Sequence, residues 1–413
     1  MQEALTKNII DVYKVRNEFP ILNREINGHE LVYFDNAATT QKPNSVINSI
    51  SDYYKNYNAN IHRGVYSISI QADEAYAATK EKVKEFINAG DSREIIFTRG
   101  TTEAINLAAY SYGREHVNEG DEIVISNMEH HANIVPWQVL CSEKKAKIVV
   151  VPINDDGEIL IDEYEKLLTG KTRLVAVCHA SNTLGTINPV KKIIHIAHRK
   201  NIPVLIDGAQ AVQHMQVDVR DLDADFYTFS GHKMYGPMGI GVLYGKAELL
   251  EAMPPYQTGG DMISSVKFSG TTFNEIPMKF EAGTPNVEGA VGLSAAIDFL
   301  NSNSLKQIRE YEAELLDYAS GKLSNIEGLK IIGTAKNKTS VISFIVNGLN
   351  ALDIGIMLDT MGIAVRTGQL CTEPLMDRFG IPGTVRASLA IYNTKEEVDY
   401  FIYSLKKVIN MLR

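Results

Sequence analysis

A chain of 413 residues, 45% hydrophobic and 22% charged with no excess of Gly or Pro, has the composition of a two-domain globular protein rather than a disordered or fibrous one. Its 50 acidic against 41 basic side chains give a formal net charge of −9, which supplies no basic face for nucleic acid or anionic lipid. No apolar run approaches the ~18 residues of a membrane-spanning helix, and the opening MQEALTKNIIDVYKV lacks the apolar core of a signal peptide, so a cytoplasmic location is expected.

Residues 1–20 read as a helical lead-in, and ELVYFDNAATTQKP as a short strand breaking into a polar loop. From about residue 73, helical stretches such as DEAYAATKEKVKEFINA and TEAINLAAYSYGREHV alternate with β-branched runs. Those runs are EIIFT, EIVIS, KIVVVPI, RLVAVCHA, PVLIDGA, DFYTFS and GIGVLYG. Such alternation predicts βαβ units around a mostly parallel sheet buried on both faces, an α/β architecture. The polar stretch 256–286 interrupts the pattern and reads as holding a hairpin that crosses to a partner subunit. Two long amphipathic helices follow (GAVGLSAAIDFLNS and LKQIREYEAELLDYASGKL), then short strands and a closing helix, the pattern of a smaller α+β domain. The expected division is a helical segment 1–30 belonging to the small domain, a large α/β domain 31–286 and a C-terminal small domain 287–413.

In an open parallel sheet the ligand lies beyond the carboxyl ends of the strands. Five strands in succession end in polar or charged turns: RGTTEAIN, NMEHHANIV, HASNTLG, DGAQ and SGHKMYGP. Lys233 follows one strand inside a Gly-flanked turn, and Asp207 closes the apolar run VLID, where an isolated charge is costly. A lysine to form a Schiff base and an acid to face the pyridine nitrogen are what pyridoxal 5'-phosphate requires of a protein. Thr101 and Thr102, at the start of a helix, with Ser230 and His232 beside the lysine, are the candidate phosphate ligands. His130 is placed to lie flat on the ring, and Gln210 and Asn182 to bond the ring oxygen.

The three cysteines, Cys141, Cys178 and Cys371, form no CxxC pair, which suits a reducing compartment and argues against a disulfide framework. Cys141 falls in a helix and Cys178 in an apolar strand, so both read as small buried hydrophobes. Cys371 sits in the loop-like stretch RTGQLCTEPLMDRF. Gly170-Lys171-Thr172 lacks the glycine a P-loop needs at position 165, which is Glu165. His195 and His198 share a helix face without a third metal ligand nearby, and no metal is expected.

Ten motifs in chain order (DNAATTQKP, HRGVYSIS, RGTTEAIN, MEHHANIVPW, SNTLGTINPV, DGAQAVQH, FSGHKMYGPMGIGVLYG, FEAGTPN, VRTGQLC and RASLAIYNT) resemble those of the SufS-type (group II) cysteine desulfurases. These are pyridoxal-phosphate enzymes of the class V aminotransferase fold. The resemblance spans residues 15 to 413 and implies conversion of L-cysteine to L-alanine, with the sulfur passing to Cys371 as a persulfide for iron–sulfur cluster assembly. Selenocysteine lyase or another class V aminotransferase-type activity is the alternative on the same residues. By the resemblance Lys233 is the Schiff-base lysine and the base at Cα, Asp207 the pyridinium partner, and His130 the stacking residue and acceptor of the substrate thiol's proton. Gln210 meets the phenolic oxygen, Thr102, Ser230 and His232 bind phosphate, and Asn182 and Arg386 hold the substrate carboxylate. Thr284 would reach the neighbouring subunit's phosphate, implying a homodimer with shared active sites. His62, Arg63 and Arg366 would line the entrance, and a SufE-like or SufU-like protein would accept the sulfur. One departure stands beside the cysteine: Leu370 replaces the histidine common in relatives, removing a proton relay or hydrogen bond near the thiol.

Overall fold

The computed structural model describes residues 10–413. Seven of the β-branched runs form one sheet: β1 (Ile95–Thr98), β2 (Glu122–Ser126), β3 (Lys147–Val151), β4 (Thr172–Cys178), β5 (Val204–Asp207), β6 (Phe226–Ser230) and β7 (Gly241–Gly245). Their spatial order is β1-β7-β6-β5-β4-β2-β3. The pairs from β6 through β3 are parallel, while β7 is antiparallel to both of its neighbours. The reason lies in the Gly231–Ile240 connection, which holds no crossover helix and therefore returns the chain in the opposite direction.

Alternation along each strand divides the core. Val124, Val175, Val204 and Ile206 face one cluster, and Ile123, Ile125, Leu174, Ala176 and Leu205 the other. The helices Ser67–Phe86, Val190–His198 and Val287–Asn303 cover the first face; Thr101–Leu107 and Val135–Lys144 cover the second. Cys178 and Cys141 are buried one in each cluster, as expected of small hydrophobes.

A second sheet, of β8 (Leu329–Ile332), β9 (Val341–Val346), β10 (Arg366–Gly368) and β11 (Thr384–Ser388), runs in the order β8-β9-β11-β10, antiparallel throughout. The helices Leu305–Leu323, Ala351–Asp359 and Lys395–Leu412 pack on it around a third core. Val32 and Phe34 belong to this third core, and the strand Val32–Tyr33 pairs in parallel with Ile363–Ala364. The helix Val287–Asn303 instead packs against Asn44–Asn56 and Ser67–Phe86 in the first core. The lead-in expected over 1–20 lies partly outside the described residues; within them Val12–Arg16 is helical and Pro20–Asn23 forms a 3₁₀ turn. The stretch 256–286 does contain a hairpin, Ile263–Lys267 with Gly270–Phe273, and its Phe268 is fully exposed.

Candidate active site

The carboxyl ends of β1, β2, β4, β5 and β6 lie on one edge of the large sheet, and their turns surround a cavity of about 320 Å³. Close packing of two turns depends on missing side chains. A Cβ on Gly241 would stand 2.4 Å from the Cα of Gly100, so glycine there lets the Gly100 loop press against β7. Thr101 is thereby brought onto Ser230: its N–H donates to Ser230 Oγ at 2.8 Å and the two hydroxyls are 2.9 Å apart. Thr102 follows on the first turn of the helix, exposed to the cavity.

Lys233 and Asp207 line the same cavity from adjacent strand ends. Burial drives the Lys233 amine below its ordinary range, partly offset by Asp207, while burial raises Asp207, partly offset by Lys233. Asp207 Oδ1 also accepts the Ala209 N–H at 2.9 Å. The turn carrying Lys233 is pinned from outside, since the His232 carbonyl accepts from Thr40 N at 3.1 Å and Lys42 Nζ at 2.9 Å. Burial lowers the pKa of Lys42 to about 7 and that of His232 to about 4.

His130 faces the cavity from the end of β2. Burial, with Lys233 second, lowers its pKa to about 3, so the ring is neutral. Its Nδ1 accepts the Ala132 N–H at 3.0 Å, which leaves the proton on Nε2. Such a ring is free to stack on a cofactor and to donate from Nε2.

Gln210 donates from Nε2 to the Ala37 carbonyl at 2.6 Å, leaving its buried Oε1 without a partner. Asn182 Nδ2 donates to the Leu370 carbonyl at 2.8 Å. Arg386, 3% exposed, donates from Nη1 to the Asn182 carbonyl at 2.9 Å and from Nη2 to Asp35 Oδ1 at 3.1 Å, while its Nε has no partner. Arg366 also grips Asp35, with Nη2 2.7 Å from Oδ2. Cys371 is exposed at the cavity rim, in a turn where it and Leu370 both adopt left-handed φ angles, 57° and 56°.

Three expected residues stand elsewhere. Thr284 lines a separate cleft of about 290 Å³ together with Tyr76 and Glu281. His62 is held by Asp73 at 3.2 Å and sits edge-on to Tyr76, while Arg63 pairs with Asp261 at 3.5 Å. His62 and Arg63 therefore do not line the mouth of this chain's own cavity; their ion pairs anchor them toward the Thr284 side.

Two residues escaped the sequence reading. Asp35 joins Arg366 and Arg386, which sit directly opposite each other on β10 and β11, an arrangement of like charges that needs a counter-ion. It closes the apolar run VYFD much as Asp207 closes VLID, and that shared pattern was the available signal. Glu129 is buried beneath the site, accepting from Ser126 Oγ at 2.5 Å, Cys178 N at 3.0 Å and Asn133 Nδ2 at 2.7 Å. Burial raises its pKa to about 7.

The arrangement fits pyridoxal phosphate. Gln210 Oε1, His232 Nδ1 and Arg386 Nε are buried polar atoms left without partners, and they stand around the Lys233–Asp207 pair. Among the described residues no cluster of three or more His, Cys, Asp or Glu is suited to a metal ion. His198 is engaged by Asp223 and Asp225 at 2.9 and 2.7 Å.

Residues 32–401 match the family described as Aminotransferase class-V. The chain is 50% identical over 398 residues to a cysteine desulfurase of Synechococcus elongatus, covering 96% of this chain and 64% of that protein. A cysteine desulfurase of Escherichia coli strain K12 is 48% identical over 405 residues, with 98% of this chain and 100% of that one covered. Among solved structures, a cysteine desulfurase from Escherichia coli bearing an S-sulfonic acid superposes with a TM-score of 0.91 at 38% identity, covering 98% of this chain and 100% of that one.

Proposed function

The chain belongs to the class-V aminotransferase family, and from that premise we propose that it is a SufS-type cysteine desulfurase, which converts L-cysteine to L-alanine and takes the sulfur onto Cys371. One observation carries this reading beyond the family. An exposed cysteine stands on the rim of the cavity that holds Lys233, Asp207 and Arg386. An aminotransferase has no use for that thiol.

Pyridoxal phosphate, when bound, supplies a sink for the electron pair released at the substrate Cα. Lys233 would hold it covalently, Asp207 would face its ring nitrogen, and His130 would cover one ring face. Gln210 would meet its phenolic oxygen, and Thr101, Thr102, Ser230 and His232 would hold its phosphate. Arg386, with its free Nε, and Asn182 would orient the carboxylate of L-cysteine. An amine whose basicity burial has lowered, as at Lys233, is suited to take the Cα proton near neutral pH. Cys371 Sγ then bonds to the substrate sulfur as the carbon–sulfur bond breaks, the electron pair goes to carbon, and protonation there yields alanine. The enzyme is left with a persulfide on Cys371.

The position of Thr284, His62 and Arg63 away from this chain's own cavity supports a homodimer in which they serve the partner's site. A SufE-like or SufU-like protein would accept the sulfur for iron–sulfur cluster assembly. Among the described residues no helix is long and apolar enough to cross a membrane, in keeping with action in the cytoplasm. The division at 286/287 is retained, with Val287–Asn303 as the joint that starts the small domain while packing on the large one.

The deciding experiment supplies L-cysteine and a reductant. Alanine and sulfide in equal amounts support the reading; pyruvate or an amino-acceptor product instead would give the site to an aminotransferase. Cys371→Ala should keep the cofactor and its spectral response to cysteine, while sulfide release falls by roughly a hundredfold or more.

A further inference from the structure

The desulfurase reading leaves open what holds Cys371 in place, because Leu370 offers its thiol no polar neighbour. Leu370 and Cys371 form two consecutive left-handed residues, neither of them glycine, and such a turn persists only where its surroundings hold it. The fixing points are in view. The Cys371 carbonyl accepts the His131 N–H at 2.8 Å, and the Glu373 N–H donates to His131 Nε2 at 3.1 Å. Glu373 begins the helix Glu373–Phe379, so the imidazole satisfies one of the four amide donors that a helix start leaves open. Asn182 holds the Leu370 carbonyl at 2.8 Å, and Thr183 meets Thr372 at 2.8 Å. Of His131, Asn182 and Thr183, His131 alone ties the cysteine's own carbonyl to the start of the helix that follows it.

His131 is also the residue after His130, which faces the cavity. The doublet thus spans two parts of the reaction, one ring on the cofactor's side and the next on the sulfur-accepting loop.

Resting on the desulfurase reading, we infer that His131 is a positioning residue that fixes the Cys371 turn against the β2-end loop by accepting at Nε2. It does not line the cavity that holds Lys233 and Asp207, and acts through the Cys371 turn. Glutamine places an acceptor where Nε2 stands, whereas alanine removes it.

The test compares His131→Ala and His131→Gln with the unaltered holoprotein by amide hydrogen exchange. In His131→Ala, exchange across residues 369–376 should quicken by roughly fivefold, the factor that one net hydrogen bond is worth, with the large sheet unchanged. His131→Gln should restore slow exchange. In steady state His131→Ala should lower kcat for sulfide release by a similar factor and leave the KM for L-cysteine in place. Unchanged exchange at 369–376 in His131→Ala, faster exchange spread over the whole chain, or a His131→Gln variant as loose as His131→Ala would each overturn the inference. If the unaltered protein makes no alanine from L-cysteine, the desulfurase reading falls, while the exchange comparison still decides what holds the turn.

Discussion

Asp35 shows how one unremarked side chain can govern a binding site. It accepts from both Arg366 and Arg386, and among the described residues Arg386 has only the Asn182 carbonyl as its other hydrogen-bond partner. Replacing Asp35 with Asn removes a charge-assisted bond from a buried guanidinium, an interaction worth about 1.5–3 kcal/mol. The expected result is a KM for L-cysteine raised by roughly tenfold or more, with the cofactor's absorption spectrum unchanged because Lys233 and Asp207 are untouched. Titration of L-cysteine against absorbance checks it. Asp35 was hard to find because the arginines it serves lie more than 300 residues along the chain, and only the fold puts β10 and β11 beside the end of the VYFD run. Lys233, Asp207 and His130 were legible for the opposite reason. Each closes, or stands within four residues of the end of, a strand that its β-branched composition announces. The basicity of His130 was not legible, since it comes from burial and from the Lys233 charge that the fold brings near.

At the scale of elements, strands and helices were readable wherever apolar residues repeat at a clear period. Packing partners were not. The break in pattern near residue 286 suggested a new unit, yet the helix Val287–Asn303 is buried in the first core because its apolar residues extend around most of its surface. The direction of β7 likewise follows from its connection rather than its composition. Its first residue is also its most constrained. Any side chain at Gly241 would collide with Gly100 at 2.4 Å and with the Phe229 carbonyl at 2.8 Å, backbone atoms that cannot swing aside. Gly241→Ala should therefore cost about 3 kcal/mol or more in chemical denaturation, by the upper range for overpacking. It should also weaken cofactor retention, since the Gly100 loop carries Thr101 and Thr102.

For the whole molecule, acid sensitivity follows from histidines buried neutral. Burial lowers the pKa of His130 to about 3 and those of His179 and His232 to about 4, against 6.5 for a free imidazole. Between those folded values and 6.5 the unfolded chain binds more protons, so these groups make stability fall as pH falls through that window. Glu129 acts in the other direction, its pKa raised to about 7 from 4.5, so that its contribution is lost as pH rises through that interval. Asp207, also raised by burial, acts with Glu129, so three imidazoles stand against these two carboxyls, and the melting temperature should decline on acidification from pH 6.5 to 4.5. His179→Gln should make that decline shallower; a melting temperature flat or rising over the same interval would exclude these histidines as its source.

The Arg366–Asp35–Arg386 bridge has one more consequence. Two guanidiniums and one carboxylate leave a single uncompensated positive charge at this corner of the cavity. That matches an amino acid whose only acidic group is its α-carboxylate. A substrate with a second fixed negative charge would find it countered by nothing at this corner, and would lose a hydration shell without recompense. The resident counter-ion would thus disfavour amino acids with an acidic side chain, while leaving neutral ones to be told apart by other groups.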